Sequence, residues 1–151
     1  MTLDVYTDGS HLKHGTGRLG CGGVLVKNGK LADKFSKELL PGELLREFGS
    51  SDVSNPTAEM IGVLEALRTF EFNPGDQVFF HADYAGVKAW CEGTWKINKP
   101  YIQKIKDCIM EEIENKRIKA EFKWVKGHQS IKTSSDAFWN NYVDSLAKGK
   151  K

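Results

Sequence analysis

The chain has 151 residues, enough for about one domain whose core buries roughly two-thirds of the unfolded surface. Its 40% hydrophobic content and formal net charge of +2 suit a globular protein, and no apolar run approaches the roughly 20 residues of a membrane-spanning helix. The opening MTLDVYTDGS lacks a basic–apolar–small signal pattern, and Cys21, Cys91 and Cys108 form no CxxC pair, which argues against a secreted disulfide framework or a zinc site. A single domain over 1–151, cytoplasmic and monomeric by default, is the expectation.

In chain order, Leu3–Asp8 alternates as a short strand and DGS turns it. A glycine-rich stretch, 15–23, leads into an apolar strand at Val24–Val26. Asn28-Gly29 is the strongest short hairpin signal, so a third strand returns through Leu31–Leu40. Pro41–Ser54 reads as a polar connection. Asn55-Pro56 reads as a helix start, with Asn at the N-cap and Pro at the first helical position. Met60, Val63, Leu64, Leu67 and Phe70 then recur at helical spacing to about Glu71. Val78–Phe80 is a buried strand ending at His81-Ala82-Asp83, and a short helix follows to about Trp90. A helix from Pro100 carries Ile102, Ile105, Ile109 and Ile113 to about Asn115. Lys119–Val125 alternates as a strand, and Ser134 or Ser135 caps a last helix with Phe138, Tyr142, Val143 and Leu146. The order βββ-α-β-α-α-β-α predicts an α/β fold: a five-stranded mixed sheet, an antiparallel meander of three strands plus two more, flanked by helices.

Charge is unevenly distributed. Residues 41–83 hold eight acids against Arg46 and Arg68, a net of −6, whereas residues 84–151 hold fourteen Lys and Arg against eight acids, a net of +6. Such asymmetry suits a basic face for a polyanion beside an acidic centre for cations, although an unevenly charged solvated surface would look the same.

Four acids stand out by position. Asp8 and Asp83 end strands, and strand ends at one edge of a mixed sheet are where side chains converge on a ligand. Glu59 lies in the first turn of its helix with Val63 and Ala66 on the same face, at the border of the buried stripe. Asp144 lies late in the last helix, one turn after Asn140. Each alone has an ordinary explanation: a turn, a favoured helix N-terminus, a cap, a solvated side chain. Together they do not, because clustered carboxylates repel by about 4 kcal/mol per pair at 4 Å with an effective dielectric near 20. Hard divalent cations relieve that repulsion, and an all-oxygen donor set favours Mg²⁺, with Mn²⁺ able to substitute.

YTDGS, then NPTAEM opening a helix, a strand ending in HAD, and VKGHQ followed by NNYVDSLAKG resemble the type 1 ribonuclease H family in order and spacing. The stretch DYAGVKAWCEGTWKINKP looks most like a bacterial subgroup that lacks the family's basic handle. The resemblance implies the ribonuclease H-like fold and hydrolysis of the RNA strand of RNA–DNA hybrids, leaving 5′-phosphate and 3′-hydroxyl ends. It places the metal-binding catalytic acids on Asp8, Glu59, Asp83 and Asp144, and the loop histidine on His128. Gly9 and Ser10 match a backbone-contacting turn, and Asn55 matches a nucleic-acid contact near the cut. Asn140, counted with the substrate-binding set, matches a residue that supports the last carboxylate.

Two divalent ions can activate water, clamp the scissile phosphate and stabilise the leaving oxygen. Asp8 is the candidate carboxylate shared between them, Glu59 and Asp83 complete the leaving-group side, and Asp144 serves the water side. His128, in the polar segment VKGHQSIKTSSD, would relay a proton or aid product release. Choosing a hybrid over duplex DNA needs contacts to successive 2′-hydroxyls, for which Gly9, Ser10 and Asn55 are placed, with Trp95 and Lys96 on the DNA side. Trp90, at helical spacing, is expected in the core; His81 is expected to pack on the sheet and not to bind metal.

There are departures from the family pattern. The interval from His128 to Asp144 is several residues longer than usual, His14 stands where many relatives carry Asn, and neither a basic handle nor an N-terminal hybrid-binding domain is seen. Weaker hybrid binding follows unless Lys96, Lys99 and the later lysines compensate. Competing readings are a non-catalytic hybrid-binding module, an integrase- or resolvase-like enzyme on the same scaffold, and a domain cut from a reverse transcriptase. The four acids disfavour the first, the absence of spare length the second, and the initiating Met and KGKK tail the third.

Overall fold

The computed structural model describes residues 1–13, 18–50, 54–125 and 135–149. Strands β1 (Thr2–Lys13), β2 (Arg18–Lys27) and β3 (Lys30–Leu39) form the meander. Helices α1 (Pro41–Phe48) and α2 (Asn55–Thr69) lead to β4 (Gln77–Ala82). Then come α3 (Ala85–Glu92), α4 (Pro100–Lys116), β5 (Lys119–Trp124) and α5 (Ser135–Ala147). The sheet order is β3-β2-β1-β4-β5, antiparallel through the meander and parallel from β1 to β4 and β4 to β5. The predicted mixed sheet is therefore present. Among the described residues, no helix is long and apolar enough to cross a membrane.

The β2–β3 hairpin closes through Asn28 (φ 52°) and Gly29 (φ 75°), both left-handed as a two-residue turn of this twist requires. Strand alternation sends Leu3, Val5, Leu19, Cys21 and Leu25 to one face, where α1 to α4 build the larger core. Tyr6, Val24 and Val26 point to the other face and meet Trp139, Val143 and Leu146 of α5 in a smaller cluster, with Tyr142 packed against it. Helix α2 is buried along nearly its whole length, from Thr57 to Leu64 and at Ala66 and Leu67. It is a central helix, apolar on most sides, and not a surface one.

Four expectations need correction. The segment read as a polar connection contains α1, whose Leu44 and Phe48 reach the core and which Gly49 ends at φ 79°. The N-cap of α2 is Ser54, not Asn55: Asn55 is already helical, and the Ser54 hydroxyl pairs with the Thr57 hydroxyl at 3.1 Å. DGS is not a turn, because β1 continues to Lys13 against β2. For the same reason Asp8 does not end a strand.

Candidate active site

Strand β1 keeps both neighbours only as far as the pair Tyr6↔His81; beyond it β4 ends and β1 continues with β2 alone. Asp8 lies two residues past that pair on β1, and Asp83 two residues past it on β4. Parallel strands in register therefore bring the two carboxylates to one place, at the carboxyl end of β4 where open α/β sheets bind ligands. Helix α2 crosses beside β1 so closely that a Cβ on Gly9 would lie 2.5 Å from the Ala58 carbonyl carbon. That approach delivers Glu59 to the same point.

Asp8, Glu59 and Asp83 each offer an oxygen within 4.8 Å of the other two. Asp8 and Glu59 are buried (3% and 5% exposed), and Asp83 is half-buried. The Gly9 amide donates to Asp8 Oδ1 at 3.0 Å and to Glu59 Oε1 at 2.9 Å, fixing the two acids to one backbone group. Glu59 Oε2 is buried without a partner. Both carboxyls of this coupled pair are raised well above the ordinary range, by burial first, with the charge of Asp83 adding to each. Two buried carboxylates and an orphaned oxygen, with only oxygen donors around, fit a hard divalent cation better than they fit water or a neutral ligand.

Asp144 stands outside this triad, on the wall of the same cleft. It is ion-paired to Lys148 Nζ at 2.9 Å, four residues on at the end of α5. The four acids, with Gly9, Ser10, Asn55, Pro56, Tyr84 and Lys148, line an open cleft of about 610 Å³. All four predicted acids line this one cleft, and Ser10 and Asn55 are on its wall. The Gly9 N–H is taken by carboxylates.

Other candidates lie elsewhere. Lys96 lines an adjoining pocket of about 220 Å³ that shares Pro56 and Tyr84 with the acid cleft. Trp95, 46% exposed, bounds a separate depression with Trp124, whose Nε1 donates to the Asp83 carbonyl at 3.0 Å. Trp90 is half-buried and packs edge-on to Tyr84 and Trp95, with centroids 5.7 and 6.1 Å away. Asn140 is 4% exposed and is not among the described residues that line the cleft. His81 packs as expected: its ring stacks on Tyr6 at 4.3 Å and its Nε2 lies 2.8 Å from Asp4. The three cysteines are free, also as expected. His128 and His14 lie outside the described residues.

Two cleft residues had no assigned role in the sequence. The spacing Asp144-x-x-x-Lys148 puts opposite charges one helical turn apart and was a readable signal for Lys148. Tyr84 was visible as the residue after the third acid; burial, then the charge of Glu59, raises its hydroxyl pKa.

The sequence matches the family model of RNase H across residues 1–151. The chain belongs to the ribonuclease H family. It is 31% identical over 153 residues to a ribonuclease H of Cupriavidus pinatubonensis, covering 95% of this chain and 96% of that protein. Its fold is similar to RNase H1 of the halophilic archaeon Halobacterium salinarum (TM-score 0.72, 18% identity, 97% and 95% of the two chains covered). It is also similar to LC11-RNase H1 solved in complex with an RNA/DNA hybrid (TM-score 0.69, 16% identity, 98% and 95% covered). The sheet order and helices found here are those of a ribonuclease H, and the acidic cluster lies at the carboxyl end of its β4, beside β1.

Proposed function

We propose that this ribonuclease H cuts the RNA strand of RNA–DNA hybrids by two-metal-ion hydrolysis, leaving 5′-phosphate and 3′-hydroxyl ends. The observation that carries the proposal is the convergence of Asp8, Glu59 and Asp83 within 4.8 Å, two of them buried, in a cleft open enough for a phosphodiester backbone. The LC11-RNase H1 complex supports the choice of a hybrid as substrate.

When bound, Mg²⁺ or Mn²⁺ supplies a nucleophilic water and countercharge for the phosphate and the leaving oxygen. The chain's own residues do the rest. Asp8, held by the Gly9 amide and close to Glu59 and Asp83, would be the carboxylate shared by both ions. Glu59 and Asp83 serve the leaving-group side, and Asp144, at the rim, serves the side of the attacking water. Asn55 and Ser10, on the cleft wall, meet the 2′-hydroxyls that mark RNA. Lys96, in the adjoining pocket, and exposed Trp95 take the DNA strand. His128 is assigned the proton relay on its sequence position alone. All these residues come from one chain, so a single copy suffices.

The test is cleavage of an end-labelled RNA–DNA hybrid with Mg²⁺, Mn²⁺ or EDTA, beside single-stranded RNA, duplex DNA and the Asp83→Asn variant. Metal-dependent cutting of RNA in the hybrid alone, lost in the variant, is the expected result. A hybrid that is bound but left intact with either metal overturns it.

A further inference from the structure

Of the four cleft acids, Asp8, Glu59 and Asp144 belong to a strand or a helix, and Asp83 does not. Strand β4 ends at Ala82 and α3 begins at Ala85, so Asp83 and Tyr84 make a two-residue bend between them. Three consecutive carbonyls run through this bend, and each accepts a hydrogen bond. Ala82 accepts from the Val125 amide at 2.8 Å, and Tyr84 from the Val87 amide at 3.2 Å. Between them, the Asp83 carbonyl accepts from the indole Nε1 of Trp124 at 3.0 Å. The outer two bonds come from the main chain, and the middle one from a side chain. Register explains the reach: Trp124 is the β5 partner of Ala82, the last pair of the β4–β5 ladder, so its ring need extend only one residue further. Burial does not explain the residue, because Trp124 is 54% exposed.

We propose that Trp124 is a positioning residue for Asp83: its indole N–H fixes the peptide after the acid and so aims the carboxylate into the cluster. The inference rests on the reading of Asp83 as a metal ligand. An aspartate side chain is short, so its oxygens go where the backbone sends them. Here they must stay within 4.8 Å of oxygens on Asp8 and Glu59, and a working site holds its ligands to about 0.5 Å. Rotation of the peptide after Asp83 would swing the chain away from that geometry. The indole bond opposes this rotation from the neighbouring strand, as groups one step behind a metal ligand commonly do.

A packing role would look different. Trp124 also lines a depression with Ala85, Ala89 and Trp95. If it only fills space there, ring size matters and the donor does not.

Two substitutions separate these roles. Trp124→Phe keeps a six-membered ring and removes the donor. Trp124→His has a smaller ring, but its Nε2 lies two bonds from Cγ, as the indole Nε1 does, and can donate from the same place. Mn²⁺ affinity is read by calorimetric titration of the full chain, and kcat and KM by cleavage of an RNA–DNA hybrid. For Trp124→Phe, Mn²⁺ binding should weaken and kcat should fall, each by about tenfold, with KM for the hybrid within about twofold. Trp124→His should recover most of both losses. In an Asp83→Asn background, Trp124→Phe should weaken Mn²⁺ binding no further, because it acts through that carboxylate. Wild-type Mn²⁺ affinity and kcat in Trp124→Phe, or a loss in Trp124→His as large as in Trp124→Phe, overturns the positioning role. Mn²⁺ affinity left at the wild-type value by Asp83→Asn alone overturns instead the reading of Asp83 as a ligand.

Discussion

The two faces of the sheet are covered very differently. Four helices bury the α2 face under the larger core, while among the described residues α5 covers the other in a cluster of six buried residues, three from the sheet and three from the helix. The acids follow this division. Glu59 comes from the buried stretch of α2, and its tie to Asp8 runs through one backbone amide. Asp144 comes from α5, a third exposed and paired to the partly exposed Lys148. One side of the site is fixed by dense packing, which tolerates little adjustment. The other can move by rotating side chains. The Asp8–Glu59 side of the cleft is thus set by packing, and the Asp144 side by partly exposed side chains.

The largest test removes charge from the fixed side without removing shape. Glu59→Gln keeps an oxygen for the Gly9 amide and the same side-chain volume, so the fold should survive. It deletes a ligand charge worth several kcal/mol to the transition state, and hybrid cleavage should fall by about 10³-fold. A loss below tenfold, measured at saturating Mg²⁺, would mean that the buried triad is not where the chemistry is organised.

The next test breaks the close packing itself. A Cβ on Gly9 would sit 2.5 Å from backbone and 2.7 Å from the Ala58 side chain, and neither neighbour can swing aside. Gly9→Ala should destabilise the protein by about 1–3 kcal/mol and shift Glu59 away from Asp8. Thermal unfolding reads the first effect and Mn²⁺ titration the second. If Mn²⁺ affinity is retained despite lost stability, the acids do not depend on the α2–β1 approach.

A third test uses pH. The folded-state pKa values of Asp8 and Glu59 are raised, so folded protein holds protons there that the unfolded chain has released. The sign follows from linkage: metal-free stability is full below the ordinary carboxylate range and falls as pH rises through the raised values. Asp8→Asn should therefore stabilise metal-free protein at pH 8 by about 1–2 kcal/mol and do little at pH 4. Melting temperatures at the two pH values decide it. Stabilisation of equal size at both would point to packing and not to charge.

How much of this could be read from the chain depends on what each residue is answerable to. The hairpin was legible because Asn28-Gly29 has a local reason, two positive φ angles in sequence. The acids were legible because their motifs recur in a fixed order with the elements that carry them. Helix α1 was not, since eight residues with Leu44, Leu45 and Phe48 show too little period to tell from a loop. Gly9 misled for a clear reason. A glycine after aspartate looks like a turn, but here it is required by the approach of α2, which no local pattern announces. The i,i+4 spacing of Asp144 and Lys148 is legible, but a lysine at a helix end also suits the helix dipole; the fold shows that the pair lines the cleft.

The smallest effect probes what holds α5 in place on the thin face. The Tyr6 hydroxyl donates to Asp136 at the start of α5, while its ring stacks on His81 at 4.3 Å and touches the α5 cluster. Tyr6→Phe keeps the ring contacts and removes only the hydrogen bond. Asp136, 48% exposed, can then bind water in place of the phenol, so the loss should be near the low end for a charged acceptor, about 0.5 kcal/mol. That predicts a fall in melting temperature of about 1–2 °C for a protein of this length, with faster amide exchange confined to the first turn of α5. Activity should change little, because Asp144 lies two turns further along the helix and is positioned by Val143 and Leu146 packing on the sheet. A much larger fall, about 6 °C or more, would reverse the comparison drawn above. It would mean that a single polar link, and not the small apolar cluster, carries α5, and that the adjustable side of the site is tethered from its first turn.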